Sequence, residues 1–220
     1  KARLSKRHGA TSVMAYKDMG YLPQALVNYL VRLGWSHGDE EVFPIPELIQ
    51  KFSLESVGKS AAIFNPEKLN WLNGVYIRQE KPETLAEMLL PFLEKKSLKP
   101  RSTAWLVEVV KTPQERSKTL VEMADMAEFY FRDDFQVDEK AEKKHLTPAI
   151  KEPLEILAAR LASTPEVDEK SLEEMFKEIV ALKNIKLGAI AQAVRVSLTG
   201  KSVSPGIYEV MRILGKDEVL

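Results

Sequence analysis

The chain has 220 residues, enough for one large domain or two small ones, and 45% of them are hydrophobic, as in an ordinary globular protein. The chain contains 32 Lys and Arg residues and 32 Asp and Glu residues. Its net charge therefore does not indicate a nucleic-acid partner, and any basic surface must be local. The absence of cysteine excludes disulfides and thiolate metal sites and suits a reducing cytoplasm, and no apolar run approaches the roughly 18 residues that span a membrane.

The first segment of the chain is basic. Its cationic and imidazole side chains are Lys1, Arg3, Lys6, Arg7 and His8. A mobile Lys6 ammonium group, together with Ser5 and backbone N–H groups, would suit a polyphosphate, and a solvated basic arm is the simpler alternative. Because the chain begins without Met in a basic loop, we expect it to be a piece of a longer protein.

Helical patterns follow from Tyr21 onward. Pro23 and Gly34 stand where a helix would begin and end, with apolar residues at helical spacing between them. Asn65 followed by Pro66 predicts another helix start. The alternation over 107–110 is too short for a convincing strand, so the predicted fold class is all-α.

The middle of the chain is predicted to form acidic helices. The sequence Thr112-Pro113-Gln114-Glu115 resembles a capping box that opens a helix extending to about Arg132. Thr147-Pro148 opens the next helix, and Ser171-Leu172-Glu173-Glu174 opens another that ends near Ile185. Acidic helix faces repel phosphate, so a nucleic acid would be confined to the basic segments at the two ends of the chain.

The stretch from Lys183 to Tyr208 contains four cationic side chains and no acid. These are Lys183, Lys186, Arg195 and Lys201. Gly200 is predicted to stop one helix in a left-handed conformation, Ser204 to cap the next, and Pro205 to lie in its first turn. Two helix ends and a basic loop would then meet, which makes this place a candidate for the recognition of anions or bases.

Complete catalytic arrangements are missing from the sequence. His8, His37 and His145 show no metal-ligand spacing, so no metal site is predicted. No glycine-rich phosphate loop follows a strand, and the carboxylates lie on amphipathic helices. We therefore expect a recognition module rather than a complete catalyst.

Four stretches, in the right order, resemble bacterial glutamyl-tRNA synthetase, a class I aminoacyl-tRNA synthetase. They are the KMSKS-type loop RLSKRHGA at residues 3–10, LGWS at 33–36, FNPEKLNWLN at 64–73, and RVSLTG at 195–200 followed by SPG at 204–206. The resemblance runs from Arg3 to the last helix, and it implies a helical, tRNA-binding portion of the enzyme from the KMSKS-type loop onward.

The resemblance also implies a domain organisation. Residues 1–78 would hold the KMSKS-type loop and a helical stem-contact region. Residues 79–220 would form the α-helical anticodon-binding domain, in two packed helical parts with a break near 133–147. The nucleotide-binding domain of the family would precede this chain, so we expect the chain alone to be inactive and to show no ATP–pyrophosphate exchange.

By resemblance, Lys6, Ser5 and Arg3 would bind ATP, and the full-length enzyme would use ATP and Mg²⁺ to attach glutamate to tRNA. Arg3 stands where the family usually has Lys, which keeps the charge but changes the shape. Members of the family are usually monomeric. Some charge only tRNA(Glu), whereas others also charge tRNA(Gln), and the third anticodon base decides between them.

The same resemblance implies that two parts of the chain recognise the anticodon. In the tail, the matching positions are Arg195, Ser204, Pro205 and Ile207. A further basic residue would come from the first long helix of the anticodon domain, with Arg116 and Lys118 as the two candidates. The alternative function is a helical protein-interaction module that does not bind RNA and whose basic tail only aids solubility.

Overall fold

The computed structural model describes residues 12–58, 62–132 and 134–220. Over these ranges all regular structure is helical, apart from one isolated bridge between Trp35 and Val57, so the all-α prediction is confirmed. None of the described helices combines the length and the apolar character needed to cross a membrane.

The helices are α1 (Val13–Asp18), α2 (Pro23–Arg32), α3 (Ile45–Lys51), α4 (Pro66–Gln79), α5 (Pro82–Lys95), α6 (Thr103–Gln114), α7 (Leu120–Ala127), α8 (Glu139–His145), α9 (Pro148–Ser163), α10 (Glu169–Lys183), α11 (Leu187–Thr199), α12 (Ile207–Leu214) and α13 (Lys216–Val219). A short 3₁₀ helix, Glu128–Tyr130, follows α7.

One compact unit contains residues 12–58, 62–96 and 114–125, and its centre is the packing of α2 on α4. The hydroxyl of Tyr76 lies 2.7 Å from both the Asn28 side-chain oxygen and the Phe43 carbonyl. Burial raises the pKa of Tyr76 to about 12. Asn28 also accepts a hydrogen bond from the Phe43 amide at 2.7 Å, so these buried polar groups satisfy one another.

The second compact unit contains residues 97–113, 126–132 and 134–220, with α11 packed against α8, α9, α10 and α12. The inward face of α11 carries Ile190, Ala193, Val194 and Val196, all of them buried. Helix α11 is thus held from several sides, and the loop that follows it starts from a fixed position. The domain limits at residue 78 and near 133–147 stay predictions.

The predicted helix start at Thr112 is wrong. Helix α6 passes through Thr112 and Pro113 and ends at Gln114. Pro113 has no amide hydrogen to donate to the Val109 carbonyl four residues earlier, and the Thr112 hydroxyl donates to that carbonyl instead, at 2.9 Å. The hydroxyl therefore replaces the missing helical hydrogen bond rather than capping a new helix.

Two other predicted helix limits also need correction. The predicted single helix to Arg132 is interrupted, because α7 begins only at Leu120, where the Thr119 hydroxyl accepts from the Glu122 amide at 3.1 Å. Helix α10 begins at Glu169 rather than at Ser171, because Asp168 is its cap and Ser171 is the reciprocal member of the capping box. Both corrections move the start to a side chain that bonds an exposed helical amide.

Candidate nucleic-acid interface

Gly200 caps the end of helix α11, as predicted, in a left-handed conformation with φ of 69°. The Gly200 carbonyl accepts from the Asp138 amide at 2.8 Å. A Cβ at this position would lie 2.6 Å from the Gln136 carbonyl oxygen and 2.9 Å from the Phe135 ring. Only glycine fits both the backbone conformation and this close approach, so residue 200 fixes the direction in which the α11–α12 loop (residues 200–206) leaves the helix.

Arg195 connects α11 to the far side of this loop. Its Nε donates to the Ser204 hydroxyl at 2.8 Å, and that hydroxyl in turn donates to the Pro205 carbonyl at 2.9 Å. Arg195 and Ser204, both predicted by resemblance to recognise the anticodon, are therefore in direct contact.

The prediction that Ser204 caps the next helix is wrong. Gly206 is the N-cap of α12, and the helix begins at Ile207, with both Ser204 and Pro205 in the preceding loop. The hydroxyl of Ser204 is bonded to Arg195 and to the Pro205 carbonyl instead of a helical amide. Its partner is a side chain from another helix, which a local capping pattern does not reveal.

A second side chain, Gln192, holds Arg195 from its own helix. With its amide in the orientation that satisfies both ends, Gln192 accepts from Arg195 Nη1 at 2.9 Å and donates to the Ser202 carbonyl at 3.2 Å. Gln192 and Arg195 lie three residues apart on α11, a spacing that places their side chains on one face. We refer to Gln192, Arg195, Ser202 and Ser204 as the arginine clamp.

The apolar residues of the loop differ in exposure. Ile207, predicted to contact bases, is buried at 6% relative exposure, whereas Pro205 is half-buried. Val203, which the sequence interpretation did not select, is 72% exposed beside the clamp. The signal that could have identified Val203 was its place as an apolar residue in a loop made otherwise of polar and turn residues.

The charge of the Lys183–Tyr208 stretch is partly compensated from outside it. Lys183 forms an ion pair with Glu152 of α9. Lys186 and Lys201 are exposed, and neither forms an ion pair within the part of the chain that the structure describes. The loop therefore keeps a positive charge at exposed Lys201, while Lys183 belongs to a surface ion pair.

The prediction that Arg116 and Lys118 lie on a long helix is wrong: both lie in the α6–α7 loop (residues 115–119) of the first compact unit, and both are exposed. Buried Asn73 holds this loop: its Nδ2 donates to the Lys118 carbonyl at 2.5 Å, and its Oδ1 accepts from the Leu22 amide at 2.8 Å. The Lys118 amide donates to Glu122 at 2.8 Å. The backbone between the two cationic candidates is thus fixed from α4 and α7.

The predicted ATP-binding residues Lys6, Ser5 and Arg3 lie outside the described residues. In ranges 12–58, 62–132 and 134–220, no three His, Asp or Glu side chains are grouped so that they could hold a metal ion. Within the described residues, the candidate binding site is therefore formed by the α6–α7 and α11–α12 loops.

Comparison with known proteins gives matches along the whole chain. A family model described as the anticodon binding domain matches residues 84–220, and one described as the catalytic domain of class I tRNA synthetases (E and Q) matches residues 1–71. Glutamate–tRNA ligases from Geotalea uraniireducens and Geobacter sulfurreducens are each 58% identical, over 99% and 100% of this chain respectively and 47% of their own length. The chain thus spans about half the length of these relatives.

Solved structures agree with this result. A glutamate tRNA ligase from Elizabethkingia meningosepticum, crystallised with its amino acid, superposes with a TM-score of 0.87 at 26% identity, covering 100% of this chain and 47% of that one. The resemblance to glutamyl-tRNA synthetase is confirmed. Because the anticodon-binding model matches more than half of the chain, the chain belongs to the anticodon binding domain family.

Proposed function

We propose that the chain binds tRNA as the anticodon-recognising part of a glutamate–tRNA ligase, with the α11–α12 loop against the anticodon bases. The observation that carries this proposal is the match of the anticodon binding domain to residues 84–220, a range that includes the whole arginine clamp. The relatives that match along the chain are named glutamate–tRNA ligases, which supports glutamate as the amino acid attached.

The chemistry of the loop suits a single-stranded anticodon. Unstacked bases offer hydrogen-bonding edges and flat faces, and an arginine can bond the first or stack on the second. Arg195 and Ser204 provide polar groups, Pro205 and exposed Val203 provide apolar surface, and Lys201 adds positive charge. Ile207 would act chiefly by supporting the loop from beneath, since its side chain is buried.

The α6–α7 loop supplies the second proposed contact. An exposed cation on a fixed backbone, either Arg116 or Lys118, would reach the third anticodon base. An arginine there can favour C over G, because the two bases present different donors and acceptors to it. Recognition of that base decides whether the protein charges tRNA(Glu) alone or tRNA(Gln) as well.

The activity of the longer protein is part of the same proposal. We infer that it acts as a cytoplasmic monomer and uses ATP and Mg²⁺ to activate glutamate, with Lys6, Ser5 and Arg3 binding the ATP phosphates. Lys6 would contribute a point charge and Ser5 a hydroxyl donor to those phosphates.

The binding experiment uses fluorescently labelled anticodon stem-loops with C or G at the third anticodon position, at two salt concentrations. We expect binding that weakens steeply with salt, since lysine and arginine contacts to phosphate release counterions. A tenfold preference for C, about 1.4 kcal/mol, would identify a discriminating protein, and equal binding would identify one that accepts both tRNAs.

Arg195→Ala should weaken binding by about tenfold, the loss typical of one strong base contact. Arg160→Ala is the matched control, because it removes the same charge from a surface ion pair with Glu178 on α9 and α10. Unchanged affinity and salt dependence in Arg195→Ala would refute the role of Arg195. Absence of binding to either stem-loop would favour the protein-interaction module instead.

A further inference from the structure

Gln192 is the side chain of the arginine clamp that no sequence motif identifies. It is half-buried on α11, one turn before Arg195, and it bonds two different groups. With the amide oriented so that both of its ends are satisfied, its oxygen accepts from Arg195 Nη1 at 2.9 Å and its nitrogen donates to the Ser202 carbonyl at 3.2 Å. One side chain therefore contacts both the arginine and the backbone of the loop.

These contacts restrict the arginine in a way that a single bond would not. The bond from Nε to Ser204 fixes one point of the guanidinium, and the bond from Nη1 to Gln192 fixes a second point, which helps to set the orientation of its plane. A planar group recognises a base edge or face only in a defined orientation, so fixing the plane before binding lowers the entropy cost of recognition.

The bond from Gln192 to Ser202 couples this orientation to the shape of the loop. Ser202 lies midway between the fixed end of the loop at Gly200 and the arginine-bonded Ser204. A loop whose middle moves would displace Ser204 and with it the guanidinium. Gln192 therefore stabilises the middle of the loop and, through it, the contact between Ser204 and Arg195, while Gly200 fixes the first residue of the loop.

We propose that Gln192 is a positioning residue that orients Arg195 for anticodon recognition and does not itself contact RNA. This inference rests on the proposed function of the loop. It adds a residue whose effect on RNA binding operates entirely through Arg195, which makes it separable by a double-mutant cycle.

The test measures affinity for the anticodon stem-loop with Gln192→Ala, Gln192→Met, Arg195→Ala and the two double variants that combine a Gln192 change with Arg195→Ala. Methionine keeps the length of glutamine but has no amide, so Gln192→Met isolates the two hydrogen bonds from the packing. Both single Gln192 variants should bind about fivefold more weakly, the size of one typical hydrogen bond. Gln50→Ala, which changes an exposed glutamine of α3, is the control and should bind as wild type does.

In the Arg195→Ala background, a change at Gln192 should have no further effect. A further loss there would overturn the proposal, because Gln192 would then act on RNA directly or through the rest of the loop rather than through Arg195. Wild-type affinity in Gln192→Met would overturn it as well, because the hydrogen bonds would not matter. If Arg195→Ala binds as wild type does, the proposed function of the loop fails. If Arg195→Ala binds more weakly while the Gln192 variants bind as wild type does, only the role of Gln192 fails.

Discussion

The α6–α7 loop and the α11–α12 loop both present cations, yet they are held in opposite ways. In the α6–α7 loop, buried Asn73 bonds the backbone, and the cationic side chains of Arg116 and Lys118 extend from it exposed. In the α11–α12 loop, the cation Arg195 is itself bonded to the loop that it serves. In the first loop Asn73 supports the backbone, and in the second the loop bonds the cation Arg195 itself.

This difference bears on what each loop can recognise. A long exposed cation on a fixed backbone adapts to a phosphate or a base edge at a cost in side-chain entropy. A half-buried guanidinium held by two side chains has already lost that entropy and therefore discriminates by orientation. Substitutions that loosen each loop separately should affect stability and RNA binding differently.

The largest effect is expected for Gly200→Ala. A non-glycine residue at positive φ costs about 1–2 kcal/mol, and the Cβ would lie 2.6 Å from the Gln136 carbonyl, so the total loss of stability should be about 4 kcal/mol. Urea denaturation measures this loss. Gly188→Ala is the matched control on the same helix, where a Cβ meets no atom within 4 Å, and it should add about 0.5–1 kcal/mol of stability. Equal effects of the two substitutions would contradict the account of Gly200.

The corresponding change in the α6–α7 loop is Asn73→Ala. It leaves the Leu22 amide and the Lys118 carbonyl without their buried partner, which should cost about 2–3 kcal/mol of unfolding free energy. Gln79→Ala, an exposed change on the same helix, should stay within about 0.5 kcal/mol of wild type. Denaturation of both variants compares them directly, and a neutral Asn73→Ala would show that other contacts hold the loop.

A pH effect is expected from Glu209, in the first turn of α12 directly after the α11–α12 loop. Burial, and then the neighbouring Glu169, raise the pKa of this carboxyl, while Arg212 opposes them. Because its pKa is higher in the folded state, the protonated form favours folding, and that stability is lost as pH rises from the unfolded value of about 4.3 through the folded value.

Glu209→Gln should therefore be more stable than wild type at pH 7, with the difference vanishing below about pH 4. Urea denaturation at both values of pH measures the change. The exposed Glu142→Gln is the control and should show no such gain. A Glu209→Gln variant that is less stable than wild type at pH 7 would contradict the assigned direction.

The smallest effect concerns Val203. Because its side chain is 72% exposed, Val203→Ser should leave stability within about 0.5 kcal/mol while weakening stem-loop binding about twofold through lost apolar contact. Leu182→Ser removes a similarly exposed apolar side chain, 62% exposed on α10, and should not alter binding. Fluorescence anisotropy titrations measure the affinity of both variants for the stem-loop. Equal losses of affinity would contradict a specific role for Val203, because any exposed apolar side chain would then have the same effect.

The sequence predicts the helical class and the stop at Gly200 because both depend on local preferences. It misplaces the role of Thr112, where a hydroxyl replaces the bond that Pro113 lacks, and that of Ser204, where Arg195 competes for the hydroxyl. Gln192 escapes sequence reasoning altogether. A glutamine on a helix has no distinctive spacing, and its importance appears only when the loop folds back against α11.

The central claim, that Arg195 of the arginine clamp recognises anticodon bases rather than only the RNA backbone, has one direct test. It measures wild type and Arg195→Ala against an anticodon stem-loop and against the same RNA with its three anticodon bases removed to leave abasic sites. We predict that wild type prefers the intact loop by about tenfold and that Arg195→Ala loses most of that preference. An equal preference in both proteins would contradict the claim, because Arg195 would then contribute nothing specific to the bases.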